Sequence, residues 1–132
     1  MASFGVKSSR RLITCHVDIH RVMLPVVKVY DCSVIWGYRG EARQNRAVAN
    51  GHSLTNWPDS RHNINPSLAI DIVPYPIDWT SIDRFKELAW VIKGSAQALD
   101  VPLEWGGDWE NWIVNGKKRK DYAHWQLPRG YE

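Results

Sequence analysis

The spacing of apolar positions predicts three helices in this chain. Apolar side chains recur at roughly helical intervals over residues 8–24, and Pro25 is expected to end that helix. A second helix is predicted over residues 41–50, because Gly51 is a favourable residue just past a helix end. The clearest pattern follows a capping sequence at residues 80–83, and its apolar stripe contains Ile82, Phe85, Leu88, Ala89, Ile92, Ala96 and Leu99.

Four short apolar runs predict strands, at residues 32–36, 68–73, 101–105 and 123–127. Residues 52–66 are expected to form a polar loop, and a second long loop is expected to hold the basic run at 117–120. Helices and strands are mixed without a regular βαβ rhythm. We therefore predict an α+β fold with a small antiparallel sheet and flanking helices.

Length and composition narrow the class of protein. A chain of 132 residues is expected to form a single domain, residues 1–132, around one core. No run reaches the ~18 apolar residues of a membrane span, and charged residues interrupt the N-terminal apolar positions, so neither membrane insertion nor a signal peptide is expected. Cys15 and Cys32 are too few for a disulfide scaffold and are expected to be reduced thiols.

Eight tryptophans are many for so short a chain. Most are expected to lie in the core, where an indole buries a large apolar area. One or two could instead line a groove for a sugar or a peptide, and Trp57, Trp109 and Trp112 are the candidates.

Asp71 is the residue that a purely structural role explains least well. It lies within an apolar strand, and burying an unpaired carboxylate is costly, so it must meet a cation or strong donors. Considered alone, Asp71 would be assigned to a buried ion pair or a loop cap. His62 alone would be interpreted as an ordinary loop histidine, and His124 alone as a hydrogen-bonded core histidine. Together the three supply the ligands of a catalytic zinc site, which uses three protein ligands and keeps a fourth position open.

Asp121, three residues before His124, supplies a second carboxylate. A bulge or helical turn would bring both to one site, where the carboxylate could act as general base and then general acid. The alternative is a solvated charge that balances the basic run at 117–120. His16 and His20 have zincin-like spacing, but the required glutamate is replaced by Val17, so they are interpreted as residues on a helix face.

Several motifs together resemble a known family. They are Ser60-Arg61-His62-Asn63, the run from Ala69 to Tyr75, Trp105-Gly106-Gly107-Asp108-Trp109, and Asp121-x-x-His124-Trp125. In order and spacing, over about residues 7–128, they resemble the zinc peptidases that include D-alanyl-D-alanine carboxypeptidases and phage L-alanyl-D-glutamate endopeptidases, with the fold of the hedgehog signalling domain.

The resemblance implies zinc on His62, Asp71 and His124, with Asp121 as the catalytic base. It also implies a role for Arg39 near the substrate, where a guanidinium could hold a carboxylate or a carbonyl oxygen that gains charge; the alternative is a surface turn arginine. Ser60 could hold its loop or touch substrate, and Gln44 is expected to be structural.

The function expected from this resemblance is a phage endolysin that cuts a peptidoglycan stem peptide, most simply at L-alanyl-D-glutamate. An aspartate base and a nine-residue separation of His62 and Asp71 favour the endopeptidase branch. The alternatives are a D-alanyl-D-alanine carboxypeptidase or dipeptidase, and a non-catalytic zinc-containing relative.

The remaining expectations concern partners and location. The protein would be a monomer made in the host cytoplasm that acts on the wall after release. Since no separate wall-binding domain is expected, the run at 117–120 could contact anionic wall polymers. Nucleic-acid binding would rest on the same run alone and is not expected.

Overall fold

The computed structural model describes residues 2–132 and has the predicted α+β architecture. Within these residues the helices are α1 Val6–Leu12, α2 Val17–Val29, α3 Glu41–Ala49 and α4 Ile82–Ala98. The strands are β1 Cys32–Trp36, β2 Ala69–Pro74, β3 Glu104–Trp105, β4 Ile113–Val114, β5 Lys117–Lys118 and β6 His124–Gln126. Two 3₁₀ turns, Arg61–Asn63 and Gly106–Asp108, precede β2 and follow β3.

The main sheet has four antiparallel strands in the order β1-β2-β6-β3. Its register pairs Asp71 on β2 with His124 on β6, and Asp71 also pairs with Trp36 on β1. The β1–β2 register shifts between Val34 and Trp36, as at a β-bulge. This irregularity lies beside Asp71, where the end of β1 leads into the segment that carries Arg39.

The core lies between the sheet and the helices α2 and α4, which contact each other. Fully burying one aliphatic side chain contributes roughly 1.5–3 kcal/mol. The largest fully buried side chains in this core include Ile19, Met23, Ile70, Ile72, Leu88, Ile92, Trp125 and Leu127. The apolar face of β2 therefore anchors the strand that carries Asp71.

The predicted helix over residues 8–24 is wrong in its continuity and its end. It is two helices, because His16 leaves the helix to donate its backbone N–H to the carbonyl of Ser67, and its Nδ1 then caps α2 by accepting the N–H of Asp18. Pro25 lies inside α2, which continues to Val29. Pro25 is on the exposed side, where water can satisfy the carbonyl that a proline leaves free.

The other predicted helices and strands are present, and several of them are shorter than predicted. The predicted strands at 101–105 and 123–127 reduce to β3 and β6, and the basic run partly forms the β4–β5 hairpin instead of a plain loop. Gly51, just beyond α3, has φ +75°, as expected of a glycine past a helix end. Ser81 is the N-cap residue of α4, although its side chain makes no capping bond.

The expectation that most tryptophans are core is wrong. Of the eight, Trp105 and Trp125 are buried, whereas Trp79 and Trp90 are 58% and 78% exposed. Trp36, Trp57, Trp109 and Trp112 are partly exposed. Across residues 2–132 no helix has the length and apolar character that crossing a bilayer would need.

Candidate active site

The three predicted ligands meet at one point. Potential ligand atoms of His62, Asp71 and His124 all lie within 4.8 Å of one another, a group able to hold a metal ion. Asp71 Oδ1 is 3.2 Å from His62 Nε2 and 3.1 Å from His124 Nδ1. The two imidazole rings are 5.2 Å apart, between centroids, and both histidines are buried. These contacts agree with the expectation that Asp71 meets a cation or strong donors, because a protonated imidazole supplies both.

The other nitrogen of each histidine ring is held by an oxygen of the protein. His62 Nδ1 lies 2.8 Å from the carbonyl of Gly37, and His124 Nε2 lies 2.8 Å from Oε1 of Gln126. When an imidazole is neutral and donates to its outer acceptor, its nitrogen facing Asp71 carries a lone pair, whereas in the protonated ring that nitrogen donates to Asp71. Outer hydrogen bonds of this kind orient metal-binding histidines. Two imidazole nitrogens and a carboxylate oxygen are also the donor types that zinc prefers.

Gly37 can accept this bond only because it has no side chain. A Cβ there would lie 2.3 Å from the carbonyl oxygen of Arg11 and 2.3 Å from Oγ1 of Thr14. Any other residue would push the chain away from α1. The segment after β1 is thus packed where its carbonyl can meet His62.

The charges of this group stabilise one another. Burial by itself would raise the pKa of Asp71, but the charge of His62 and the hydrogen bonds from His124 and His62 outweigh it and hold that pKa well below its usual range. Burial likewise opposes a charge on His124, yet the hydrogen bond and the charge of Asp71 raise the pKa of His124. The carboxylate therefore stays ionised and available to a cation.

Asp121 reaches the same site through a turn, as the spacing required. The N–H of His124 donates to the carbonyl of Asp121 at 3.3 Å, and Asp121 N–H donates to the carbonyl of Gly106 at 3.1 Å. A Cβ on Gly106 would lie 2.3 Å from the carbonyl oxygen of Asp121, so this close approach needs glycine. Burial, and then the charge of Asp71, raise the pKa of Asp121, the direction suited to a proton acceptor near neutral pH.

Arg39 is not a surface turn residue, so that alternative is wrong. Its side chain is buried over the ring of Trp36, with Cζ 4.6 Å from the ring centroid. Nη1 donates to Oε1 of Gln44 at 3.1 Å, and Nη2 is 3.8 Å from Oδ2 of Asp71. Burial lowers the pKa of Arg39, and the charge of Asp71 offsets part of that effect.

Ser60 and Asn63 hold the loop that carries His62. Ser60 Oγ accepts the N–H of His62 at 3.2 Å, while Oδ1 of Asn63 accepts the N–H of Ser60 at 3.0 Å. Asn63 Nδ2 donates to the carbonyl of Arg39 and to Oε1 of Gln44, which is fully buried. This agrees with a structural Gln44 and ties the Arg39 segment to the His62 loop. A substrate contact of Ser60 stays a prediction.

The group lies in a cleft of about 1030 Å³. Its lining includes residues of the polar loop, among them His52 and Ser60, and residues of the segment that carries Trp109 and Trp112. These two indoles are 5.4 Å apart in an edge arrangement, and Trp109 is also 5.4 Å from the ring of His124. Trp57 does not line the cleft, so two of the three candidate tryptophans are in place.

Sequence reasoning missed several residues that support the site. Gln126 could have been found from its spacing, because residues two apart on a strand share a face and His124 is one of them. Asn63 follows Ser60 by three residues, which is the spacing of a capping box. The carbonyl of Gly37 and the ring of Trp36 have no comparable local signal. His20 lies on helix α2, as interpreted, but the interpretation of His16 as a residue on a helix face is wrong, because His16 is the N-cap residue that precedes α2.

Comparison with known proteins gives a consistent result. Residues 1–125 match the family model described as phage L-alanyl-D-glutamate peptidase. The chain is 28% identical over 111 residues to an L-alanyl-D-glutamate peptidase of Escherichia phage T5, covering 80% of each protein. A crystal structure of the Serratia marcescens L-Ala D-Glu endopeptidase ChiX superposes with a TM-score of 0.75 at 30% identity, over 93% of this chain and 87% of the other. The expected hedgehog-like peptidase fold agrees with this likeness.

Proposed function

The chain belongs to the phage L-alanyl-D-glutamate peptidase family, and from this premise we propose that it is a zinc endopeptidase of the peptidoglycan stem peptide. The bond proposed is L-alanyl-D-glutamate. One observation carries the proposal: His62, Asp71 and His124 converge in the lining of a cleft, and Asp121 lines the same cleft.

The proposed ligands are His62 Nε2, a carboxylate oxygen of Asp71 and His124 Nδ1. The support is the donor set itself and the two outer hydrogen bonds, which leave those ring nitrogens free to bind a metal. When bound, zinc acts as a Lewis acid on the scissile carbonyl and lowers the pKa of water towards ~7.

The chain's own residues are proposed to handle the proton and the substrate. Asp121 takes the proton of the attacking water and passes it to the leaving amine. Arg39 faces the cleft beside Asp71, where its guanidinium can stabilise the carbonyl oxygen as that atom gains charge, or bind a substrate carboxylate. Ser60 is proposed to touch substrate from the loop wall, since it also lines the cleft.

The proposed location and partners follow from the same function. The protein would be made in the host cytoplasm as a monomer and would act on the wall after release. Residues 1–132 are proposed to serve as one catalytic domain that also finds the wall, with the exposed Lys117 and Lys118 contacting anionic polymers. Nucleic acid is not a proposed partner.

Mass spectrometry of digested peptidoglycan tests the activity. The zinc-loaded protein should produce new D-glutamate amino termini and leave the glycan strands intact. Alanine variants of His62, Asp71 or His124 should each lose stoichiometric zinc by elemental analysis and lose the activity. His52→Ala is the matched control, because His52 lines the cleft but lies outside the metal group.

Two other results would contradict the proposal. Release of free D-alanine without new D-glutamate termini would identify a carboxypeptidase. Tight binding of zinc and wall with no cleavage would identify a non-catalytic relative.

A further inference from the structure

Two arginines, Arg61 and Arg129, line the cleft beside the candidate metal group. Arg61 immediately precedes His62, and Arg129 follows the end of β6 by three residues. Two backbone hydrogen bonds connect the segments that carry these arginines. Leu68 N–H donates to the carbonyl of Arg61, and Leu127 N–H donates to the carbonyl of Leu68. The two arginines are therefore carried by neighbouring stretches of backbone at the cleft.

The guanidinium of Arg61 is under-used within the chain. Its Nε is buried and has no hydrogen-bond partner among residues 2–132. The positive charge of Arg129 acts on Arg61, as expected of two nearby like charges. Two neighbouring guanidinium groups repel each other, and an anion bound between them offsets that repulsion.

The acidic groups that face the pair do not neutralise it. Glu104 acts on Arg61 through its charge, but Glu104 Oε1 accepts the indole N–H of Trp109 at 2.6 Å. Asp59 contacts Arg129 through its backbone carbonyl, not its carboxylate. Among the described residues, no ion pair joins either arginine to an acid.

We infer that Arg61 and Arg129 together bind a carboxylate of the stem peptide on the leaving-amine side of the scissile bond. This inference rests on the proposed function. D-Glutamate has two carboxyl groups, so it keeps a free carboxylate after the stem continues through the other, and the end of the stem carries another. A planar guanidinium binds a carboxylate through two parallel hydrogen bonds, which gives specificity as well as affinity.

Arg39 is less suited to this task than the arginine pair. Its Nη1 already donates to Gln44 and its Nη2 lies beside Asp71, although its Nε, like that of Arg61, has no partner among the described residues. Arg39 is positioned to act at the reacting carbonyl. Arg61 and Arg129 would instead select a stem peptide that carries a carboxylate on the leaving-amine side of the scissile bond.

Synthetic stem peptides test the inference. One has both carboxylates free, one has the free D-glutamate carboxylate amidated, and one has the terminal carboxylate amidated. KM and kcat are measured for the parent, Arg61→Gln, Arg129→Gln and the double variant. Arg46→Gln is the control, since Arg46 is an exposed arginine on α3 outside the cleft. Binding is measured separately by calorimetry in the Asp121→Asn background, so that affinity is read even without turnover.

Each arginine variant should raise KM, and the Kd in the Asp121→Asn background, by roughly tenfold or more for the doubly free peptide. Its kcat should change little and its zinc content should equal that of the parent. One of the two amidated peptides should bind the parent more weakly than the doubly free peptide does. The arginine variants should bind that amidated peptide no more weakly than the parent binds it. The position of that amide identifies the carboxylate. Arg129 is exposed, so its variant should fold normally.

Two results would overturn the inference. In one, the double variant binds the doubly free peptide as tightly as the parent does. In the other, the variants lose equal affinity for all three peptides, which indicates a general effect on the cleft. If the parent cleaves no peptide although binding still depends on the arginines and one carboxylate, the proposed peptidase activity fails and the inference holds.

Discussion

Gln126 Oε1 lies 2.8 Å from His124 Nε2 and selects which ring nitrogen of that histidine faces Asp71. Both side chains are on β6, two residues apart, and both are buried. A buried amide oxygen that accepts this hydrogen bond favours the tautomer with a lone pair on Nδ1. Gln126 is therefore a positioning residue for the proposed zinc ligand.

Replacing Gln126 by Leu should weaken zinc binding roughly 10–100-fold, the usual effect of removing such an outer partner. Competition with a chromophoric chelator measures the Kd. Gln126→Glu should retain most of the affinity, because a carboxylate also accepts the hydrogen bond. Gln97→Leu is the control, at an exposed position of α4. An unchanged Kd in Gln126→Leu would show that His124 is oriented by other contacts.

Asp121→Asn should keep the fold and the zinc but lose about 10²–10⁴-fold in kcat, because an amide cannot accept the proton. Initial rates on purified peptidoglycan and elemental analysis measure the two properties. Asp100→Asn is the control, since Asp100 is exposed and asparagine tolerates its φ of +55°. Activity within a factor of about 3 of the parent would assign the base to another group, given the same range.

Zinc affinity should fall as the pH is lowered. Both histidines must be neutral to bind a metal, and the contact with Asp71 raises the pKa of His124 in the metal-free protein. Protons therefore compete with zinc at a higher pH than they would at an ordinary histidine. The Kd measured between pH 5 and 8 should rise steadily towards the acid end, with proton release on binding detected by calorimetry. A pH-independent Kd would exclude histidine ligation.

Cys15 and Cys32 should be unreactive and dispensable. Both are free and buried, and burial is the main cause that raises the pKa of each thiol to about 12. At pH 8 almost no thiolate is present, so iodoacetamide should label the native protein far more slowly than the unfolded protein. The double Cys→Ala variant should keep a specific activity near that of the parent. Rapid native labelling, or a disulfide in peptide mapping, would contradict this.

The local patterns of the sequence determined much of the architecture. The strand around Asp71, the helix before Gly51 and the long helix α4 were all predictable, because apolar periodicity and capping residues act over a few neighbouring positions. Asp71 stood out in the same way, whereas His62, His124 and Asp121 were singled out by their combination with it and by the family resemblance. A carboxylate within an apolar strand needs a partner wherever the strand lies.

The environment of each side chain was decided by the tertiary structure. The end of the first predicted helix depends on a backbone bond from His16 to Ser67, more than fifty residues away. The burial of Arg39 and the exposure of Trp90 depend in the same way on which elements pack together. The ligands themselves are assembled by the register that pairs Asp71 with His124. Short-range patterns do not contain that register, because it results from the packing of the whole sheet against α2 and α4.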